Sequence, residues 1–252
     1  MCEMILPSWT TDLAQLSSPG GMSGSWKLYT PSVLLPSIMC PRHAAAYYRL
    51  ITQFLTHEQI EDIAAAVDSI GNPPLNAVCY GIEASISTLR HMAFACLALD
   101  SGARSFFEIG SGYGAFANVL YRVAAAQSFV INSFTACDVP AAQPVFTAYM
   151  DSLGPLPGLS FLPSTLLGAD FAGTADMLFS AYALSELDTA SRDAFLSNLV
   201  DPLVPKCNLI FLVWSSPNDS SVPPGSDVVP EFPSTGRNTN FVTKGFSLTA
   251  TL

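Results

Sequence analysis

Three glycines at alternate positions, Gly110, Gly112 and Gly114, join a short apolar segment to a segment with helical periodicity. A turn this tight needs residues without a Cβ, both for its backbone angles and to let a ligand approach the main chain. The following helix offers unpaired N–H groups and a positive dipole end, so such loops usually bind phosphate. Glu108 argues against phosphate here, because a carboxylate beside the turn repels an anion and attracts a cation or an ammonium group.

The segment 108–114, which reads Glu-x-Gly-x-Gly-x-Gly, resembles motif I of the class I methyltransferases that use S-adenosylmethionine. The resemblance implies that the loop passes under the methionine part of the cofactor. It places Glu108 near the amino group, with Ser111 and Tyr113 as further contacts. The same loop, read as Gly-x-Gly-x-x-Ala ending at Ala115, also satisfies a dinucleotide fingerprint. The loop alone leaves both classes of cofactor open.

The next predicted strand, 129–137, ends at Asp138, which precedes Val139 and Pro140. In a doubly wound sheet, an acid at the tip of the second strand is placed to accept hydrogen bonds from ribose hydroxyls. Methyltransferases and nicotinamide proteins share this device. The spacing from Gly110 exceeds the roughly 20 residues of the dinucleotide rule, and it fits a methyltransferase. The long segment before the loop points the same way, because a dinucleotide fingerprint often opens its domain.

The predicted strand 175–181 supplies a third part of the resemblance. It ends in small and polar residues, including Ser180, and Tyr182 follows it before a turn that carries Ser185 and Glu186. This arrangement resembles motif IV of the class I methyltransferases. With the glycine loop and the Asp-Val-Pro segment, it is most similar to the sugar O-methyltransferase group, over roughly residues 104–214.

The resemblance implies contacts beyond the glycine loop. Asp170 and Phe171 follow the third strand, where the family often places an acid and an apolar residue against the adenine ring. Arg90 lies in an apolar helix and could reach the carboxylate of the cofactor's methionine or pair with a nearby acid. The candidate cofactor contacts are Arg90, Glu108, Gly110, Ser111, Gly112, Tyr113, Gly114, Asp138, Val139, Asp170, Phe171, Ser180 and Tyr182.

Methyl transfer to oxygen is an in-line displacement, for which a protein supplies alignment and, for a hydroxyl acceptor, a general base. Glu186 is the leading candidate base because it follows the fourth strand on the cofactor side. His43 is the second candidate, and His57 is another in the N-terminal helices. Glu186 could instead be an acid that the dipole of the next helix stabilises.

Composition narrows the class of protein and of acceptor. Of 252 residues, 50% are hydrophobic and 12% are charged, which predicts one large domain or a core domain with a helical annex. The net charge of −10 is unfavourable for nucleic acid, because binding rests largely on neutralised phosphates. The Asp-Pro-Pro-Tyr signature of amino-methylating nucleic-acid enzymes is absent. A small-molecule acceptor suits this chain better.

The sequence also predicts the cellular setting. No apolar run approaches the ~20 residues that span a bilayer, and the start lacks the basic residues of a secretory signal. The six cysteines form no CxxC pair and no Cys/His cluster. We therefore expect a cytoplasmic protein in a reducing compartment, with no membrane contact and no metal site.

The periodicity predicts three regions: an irregular N-terminal arm (1–42), a helical cap segment (43–103) and an S-adenosylmethionine-binding domain (104–252). The fold class is α/β, a Rossmann-like, doubly wound and mostly parallel sheet with a helical N-terminal segment. Helices are predicted from His43 to about 55, from a capping box at Thr56 to about 70, and over 82–99. The domain then alternates strands (105–109, 129–137, 159–162, 175–181, 208–214) with helices (114–126, 141–152, 189–200). A long loop (215–239) and a hairpin (240–252) that turns near Gly245 complete the prediction.

These observations together predict a methyltransferase that uses S-adenosylmethionine and acts on a small hydroxyl compound such as a sugar. Three alternatives stay open. One is a catalytically weak methyltransferase fold that serves as a binding or scaffold subunit. The second is an RNA cap methyltransferase, and the third is an NAD-dependent oxidoreductase.

Overall fold

The computed structural model describes residues 41–70, 77–166, 174–186, 197, 206–214, 222, 225–231 and 240–248. Its first elements are helix α1 (Pro41–Ile51), helix α2 (His57–Asp68), a hairpin of β1 (Ala77–Cys79) and β2 (Ile82–Ala84), and helix α3 (Ile86–Asp100). There follow β3 (Ser105–Ile109), α4 (Ala115–Ala126), β4 (Ser133–Asp138), α5 (Gln143–Leu153), β5 (Leu159–Pro163), β6 (Ala175–Ala181), β7 (Cys207–Trp214), β8 (Asp227–Pro230) and β9 (Asn240–Lys244). Short 3₁₀ turns cover Pro140–Ala142, Ser164–Leu166 and Ala183–Glu186.

Seven strands form one sheet in the order β5-β4-β3-β6-β7-β9-β8. The pairs from β5 to β7 are parallel, and β9 is antiparallel to both of its neighbours. The predicted fold class, a Rossmann-like, doubly wound and mostly parallel sheet with a helical N-terminal segment, is confirmed. The strand order reverses between β3 and β6, and ligands of such sheets bind in the crevice that this reversal opens at the carboxyl ends of the strands.

The helical segment differs from the prediction in one place. Residues 82–84 form a strand instead of the start of a helix, because Tyr80 and Gly81 adopt positive φ angles of 52° and 89°. Two such residues make a turn that joins antiparallel strands. Helix α3 begins only after Ser85, whose hydroxyl accepts the N–H of Thr88 at 3.1 Å. The capping box at Thr56 is confirmed.

The predicted ends of the sheet also need correction. The segment read as a long loop, 215–239, contains strand β8. Of the hairpin predicted over 240–252, the first strand is present as β9, residues 245–248 form no strand, and 249–252 lie outside the described residues. Strand β9 pairs instead with β7 and with β8, which lies upstream of it. Gly245, predicted as the turn of that hairpin, is required instead by its φ of 85° and by close packing, because a Cβ there would lie 2.3 Å from the carbonyl oxygen of Asn208. The helix predicted at 189–200 lies outside the described residues, apart from residue 197. Strand β4 begins at 133, later than predicted.

One hydrophobic core joins the helical segment to the sheet. Helix α3 is buried on nearly every side and packs against α1 and α4. Its Phe94 meets Tyr47 of α1 and the rings of Phe179, Phe211 and Phe241 on three strands, with centroids 5.9–6.4 Å apart. Such edge and tilted ring contacts favour close packing. Among the described helices, none has both the length and the apolar character to cross a bilayer.

A carboxylate holds the amino ends of β3 and β6 together. Asp176 accepts the N–H groups of Arg104 and Ser105, both at 2.9 Å, and its own N–H donates to the Ser105 hydroxyl. Burial acts to raise the pKa of Asp176, but the two amide donors and the Ser105 hydroxyl outweigh it and hold the pKa below its usual value. The ionised form is therefore the one that the fold stabilises.

We expect Asp176→Ala to lower the free energy of unfolding by about 2 kcal/mol at pH 7, because two N–H groups lose a charged acceptor. A folded-state pKa below the unfolded value stabilises the fold above the unfolded pKa and is lost as the pH falls through the folded one. The difference between wild type and variant should therefore shrink below about pH 4. Urea unfolding at pH 7 and pH 3 measures both values, and an equal difference at the two pH values would contradict the assignment.

Candidate functional site

Two buried acids lie at the carboxyl ends of neighbouring parallel strands. Glu108 is on β3, 4% exposed, and Asp138 ends β4, 9% exposed. Register places Glu108 opposite Ala136, two residues before Asp138, so both carboxylates meet at the edge where β3 enters the glycine loop. Because the strands adjoin the reversal of strand order, these acids border the crevice in which such folds bind ligands.

Three backbone contacts fix the glycine loop between these strands. The N–H of Gly110 donates to the carbonyl oxygen of Cys137 at 2.8 Å, and the N–H of Gly114 donates to the carbonyl oxygen of Ser111 at 2.9 Å. The N–H of Gly112 donates to Asp138 Oδ2 at 2.6 Å. The three glycines have φ angles of 78°, 55° and 94°, a region that residues with a Cβ rarely adopt.

The loop also lies too close to its neighbours for larger residues. A Cβ on Gly110 would stand 2.1 Å from the Cβ of Ala183, the first residue after Tyr182. A Cβ on Gly114 would stand 2.1 Å from the terminal methyl of Met150 on α5. The loop is therefore held by packing from the β6 side and from α5, in addition to its hydrogen bonds.

Glu108 has hydrogen-bonding capacity that the described part of the chain leaves unused. Its Oε2 is buried with no hydrogen-bond partner among the described residues, and the same holds for the hydroxyl of Ser111 on the loop. A buried polar atom without a partner is costly, so such atoms often mark a site that a ligand completes. Both atoms belong to the loop region that the sequence singled out.

The two carboxyl groups compete for protonation. Burial, and then the nearby Asp138, raise the pKa of Glu108 well above its usual value. Burial also raises the pKa of Asp138, against the lowering effect of the N–H groups of Gly112 and Val139. The two amide donors counteract the effect of burial at Asp138, so the rise in pKa is larger at Glu108. A positively charged donor placed beside Glu108 would favour its ionised form.

Ser180 closes the gap at the point where β3 and β6 separate. Backbone pairing between these strands extends only to Glu108 and Phe179. Beyond that point the Ser180 hydroxyl donates to the carbonyl oxygen of Ile109 at 3.0 Å. The hydroxyl proton thus satisfies a strand-end carbonyl, and only the lone pairs of Ser180 could serve a ligand.

Tyr182 and Arg90 belong to a buried polar cluster, which we call the Glu231 cluster (Tyr47, Arg90, Tyr182 and Glu231). The Tyr182 hydroxyl lies 2.9 Å from both oxygens of Glu231, and the Tyr47 hydroxyl donates to Glu231 Oε1 at 2.7 Å. The guanidinium of Arg90 lies 5.2 Å from the centroid of the Tyr182 ring, a cation–π distance. Arg90 therefore lies against the ring of a residue that binds a buried acid. Its contact with the cofactor's carboxylate, or with an acid, stays a prediction.

The other predicted residues have varied surroundings. Tyr113 contacts Tyr149 edge to face with centroids 5.0 Å apart, and Val139 packs against the small cluster of Ala142 and Val145 that Tyr113 also covers. His43 is buried on α1, one helical turn from Tyr47 and so on the same face.

The other predicted residues either lie outside the described residues or have partners elsewhere in the fold. Glu186 ends the 3₁₀ turn that begins at Ala183, and its side chain lies outside what the structure describes. Asp170 and Phe171 also lie outside the described residues. His57 pairs through Nδ1 with the hydroxyl of Tyr48 at 2.8 Å, at the start of α2.

Sequence reasoning missed Glu231 and Tyr47. Glu231 follows β8, a strand that the pattern of the sequence did not predict, so its burial could not be anticipated. Tyr47 lies in a predicted helix, but nothing in a single helix indicates which distant acid its hydroxyl meets. The one available signal was an acid next to Pro230 and Phe232, in a segment otherwise rich in turn residues.

No family model and no curated protein matches the chain. Among solved structures it resembles the methyltransferase domain of the bacterial CtHen1-C, with 13% identity over 65% of this chain and 99% of that one, at a TM-score of 0.49. It also resembles magnesium protoporphyrin IX methyltransferase (ChlM) from Synechocystis PCC 6803 (12% identity, 62% and 78%, TM-score 0.45). A third is the N-methyltransferase NodS from Bradyrhizobium japonicum WM9 (16% identity, 61% and 84%, TM-score 0.44). At these values the resemblance identifies no activity for this chain.

We expect Gly110→Ala to destabilise the protein more than Gly102→Ala. Both glycines have a left-handed φ, 78° and 90°, but a Cβ on Gly102 meets nothing within 4 Å. The control should therefore lose about 1 kcal/mol from backbone strain alone, and Gly110→Ala about 2–4 kcal/mol because it also displaces Ala183. Urea unfolding measures both. Equal losses would show that the approach of Ala183 to the loop does not constrain it.

We expect Glu108→Gln to become more stable than wild type as the pH rises. A folded-state pKa raised above the unfolded value stabilises the fold below the unfolded pKa, and that contribution is lost as the pH rises through the folded one. The wild type should therefore lose stability relative to the variant from about pH 4 upwards, by at most about 1.4 kcal/mol per pH unit. Glu83→Gln, at an exposed position on β2, is the matched control. Parallel pH profiles for Glu108→Gln and wild type would refute the burial of a protonated Glu108.

Proposed function

We propose that this chain is a methyltransferase that uses S-adenosylmethionine and transfers the methyl group to a small hydroxyl compound such as a sugar. The observation that carries the proposal is the unpartnered, buried Oε2 of Glu108 beside a glycine loop at the carboxyl edge of the sheet. An ammonium group fits that oxygen, because it brings the positive charge and the N–H donors that none of the described residues supplies to it.

The charge of the loop argues against a dinucleotide. A pyrophosphate would need the loop amides, yet the N–H of Gly112 already donates to the carboxylate of Asp138. The carboxylate of Asp138, when ionised, would also stand close to the phosphates, and like charges in a poorly solvated site repel strongly. S-adenosylmethionine has no phosphate and carries two positive groups, the ammonium and the sulfonium.

Asp138 is assigned to the ribose of the cofactor. Each carboxylate oxygen accepts one amide, from Gly112 and from Val139, and each retains a lone pair for a ribose hydroxyl. The N–H donors fix the orientation of the carboxylate before any ligand arrives. Asp170 and Phe171 remain assigned to the adenine end by resemblance alone.

When bound, S-adenosylmethionine supplies a methyl group on a positively charged sulfur. The residues of this chain orient the cofactor: Glu108 and Ser111 hold its amino-acid end, Asp138 holds the ribose, and the glycine loop lets the main chain approach. Alignment of this kind is the main contribution a protein makes to a displacement reaction. Glu186, with His43 as second candidate, is the proposed base that takes the proton of the acceptor hydroxyl.

The helical segment 43–103 is assigned to cover the cofactor and to shape the acceptor site. This assignment is supported by the hydrophobic core that α1 and α3 share with the sheet. From these two helices, Tyr47 and Arg90 reach residues at the carboxyl edge of the sheet. The acidic balance of the chain favours a neutral or basic acceptor over a polyanion.

The test is calorimetric titration with S-adenosylmethionine and, separately, with NAD. We expect S-adenosylmethionine to bind wild type, and Asp138→Asn to bind it about 10–100-fold more weakly because charged hydrogen bonds are lost. The matched control is Asp62→Asn, an exposed acid on α2 that should leave the affinity unchanged. Unfolding curves of both variants separate loss of binding from loss of fold.

Each other outcome selects an alternative. Binding of NAD instead would favour the oxidoreductase. Binding of neither ligand by a folded protein would favour a scaffold or binding subunit. If S-adenosylmethionine binds, release of S-adenosylhomocysteine in the presence of panels of small hydroxyl compounds then identifies the acceptor.

A further inference from the structure

Glu231 is a third buried acid at the ligand-binding edge of the sheet. It directly follows β8 and is 0% exposed. Strand β9 is antiparallel to both β7 and β8, so β8 runs in the same direction as the parallel strands. Its carboxyl end, and with it Glu231, therefore lies at the same edge as the glycine loop, Asp138 and Tyr182.

The contacts of Glu231 come from separate parts of the chain. The hydroxyl groups of Tyr47 on α1 and of Tyr182 after β6 both donate hydrogen bonds to this one carboxylate. Burial comes first among the causes that raise the pKa of Tyr47 and of Tyr182, and the negative charge of Glu231 adds to it in both. Both phenols therefore remain protonated donors at neutral pH.

Tyr182 needs such restraint because its backbone is in an uncommon conformation. Its φ is +64°, a left-handed value that is rare for an aromatic residue with a Cβ. Conformations of this kind persist only where the surroundings hold them, and they concentrate at functional sites. The described residues supply two restraints: the N–H of Tyr182 donates to the Val213 carbonyl at 2.8 Å, and its hydroxyl is held by Glu231.

The conformation of Tyr182 sets the position of the next residue. Ala183 directs its Cβ at Gly110, so closely that a Cβ on Gly110 would lie 2.1 Å from it. A change of φ at Tyr182 would therefore move Ala183 relative to the glycine loop. The chain of contacts runs from Glu231 through Tyr182 and Ala183 to Gly110.

We propose that Glu231 is a positioning residue for the cofactor loop: by holding Tyr182 in its left-handed conformation, it keeps Ala183 packed against Gly110. This inference rests on the proposed function in so far as the ligand of the loop is S-adenosylmethionine. Glu231 touches no reacting group in this scheme and acts only through Tyr182. Tyr47, the other donor to Glu231, helps to orient that carboxylate and has the smaller part in the restraint.

The experiment compares Glu231→Ala, Glu231→Gln, Tyr182→Phe and Tyr47→Phe. Two quantities are measured on each full-length variant: the dissociation constant of S-adenosylmethionine by calorimetry, and hydrogen exchange of the loop amides 110–114 by mass spectrometry without ligand. Asp176→Ala is the matched control, because it weakens the opposite end of the same strand, β6. A merely structural role of Glu231 would affect the loop no more than this control does.

We expect Glu231→Ala and Tyr182→Phe to weaken binding about tenfold and to speed exchange of the loop amides about tenfold. Glu231→Gln should restore much of the affinity, because its amide oxygen can still accept from both phenols. Tyr47→Phe should have a smaller effect, since the bond between Tyr182 and Glu231 remains. If Glu231→Ala does not fold, the milder Tyr182→Phe decides, since it removes only a hydroxyl.

Three results would overturn the inference. One is wild-type affinity and loop exchange in Tyr182→Phe. Another is an effect of Tyr47→Phe as large as that of Tyr182→Phe, which would place the restraint in α1. The third is loop exchange in Asp176→Ala equal to that in Tyr182→Phe. Absence of binding by the wild type would refute the proposed function instead, and the exchange measurement would still decide the role of Glu231.

Discussion

The hydrogen bond from the Gly112 N–H to Asp138 connects the two strands that carry the candidate site. It ties the middle of the glycine loop to the tip of β4, while the Gly110 N–H ties the start of the loop to Cys137 on the same strand. The loop can follow this path only because its three glycines accept positive φ angles. Glu108 is thereby brought beside a second buried acid. The raised pKa values of both acids follow from this burial, and the pKa of Glu108 is raised further by its closeness to Asp138.

The topology explains why polar residues from distant segments meet at this edge. Parallel strands all end on one side, so each loop after β3, β4 and β6 contributes to the same crevice. The antiparallel β9 reverses the chain once more and allows β8 to end there too. Glu231 can then accept hydrogen bonds from a hydroxyl on α1 and from one that follows β6. The antiparallel orientation of one strand, β9, thus brings a third acid to the carboxyl edge of the sheet.

Local signals in the sequence predicted the parts of the fold that local chemistry determines. Local signals predict the loop 108–114, the acid at Asp138 and the strand 175–181, because turn glycines and short apolar runs determine structure within a few residues. Residues 82–84 were misread since their apolar pattern suits a helix as well as a strand, and the positive φ of Tyr80 decided between them. Strand β8, and the pairing of β9 with β7 and β8, depend on contacts between separate segments, which no local pattern contains. Glu231 was missed for the same reason.

The unpartnered oxygen of Glu108 connects stability with binding. Burying it without a donor costs free energy, and this cost is largest for the ionised form, which is why burial raises the pKa of Glu108. A ligand that brings a fixed positive charge favours the ionised form, so its binding is coupled to the protonation of Glu108. The same pair of acids would disfavour an anion at any pH at which Asp138 is ionised. Selectivity for a cationic cofactor would then arise from a destabilising feature of the fold, which a more stable arrangement of the two acids would remove.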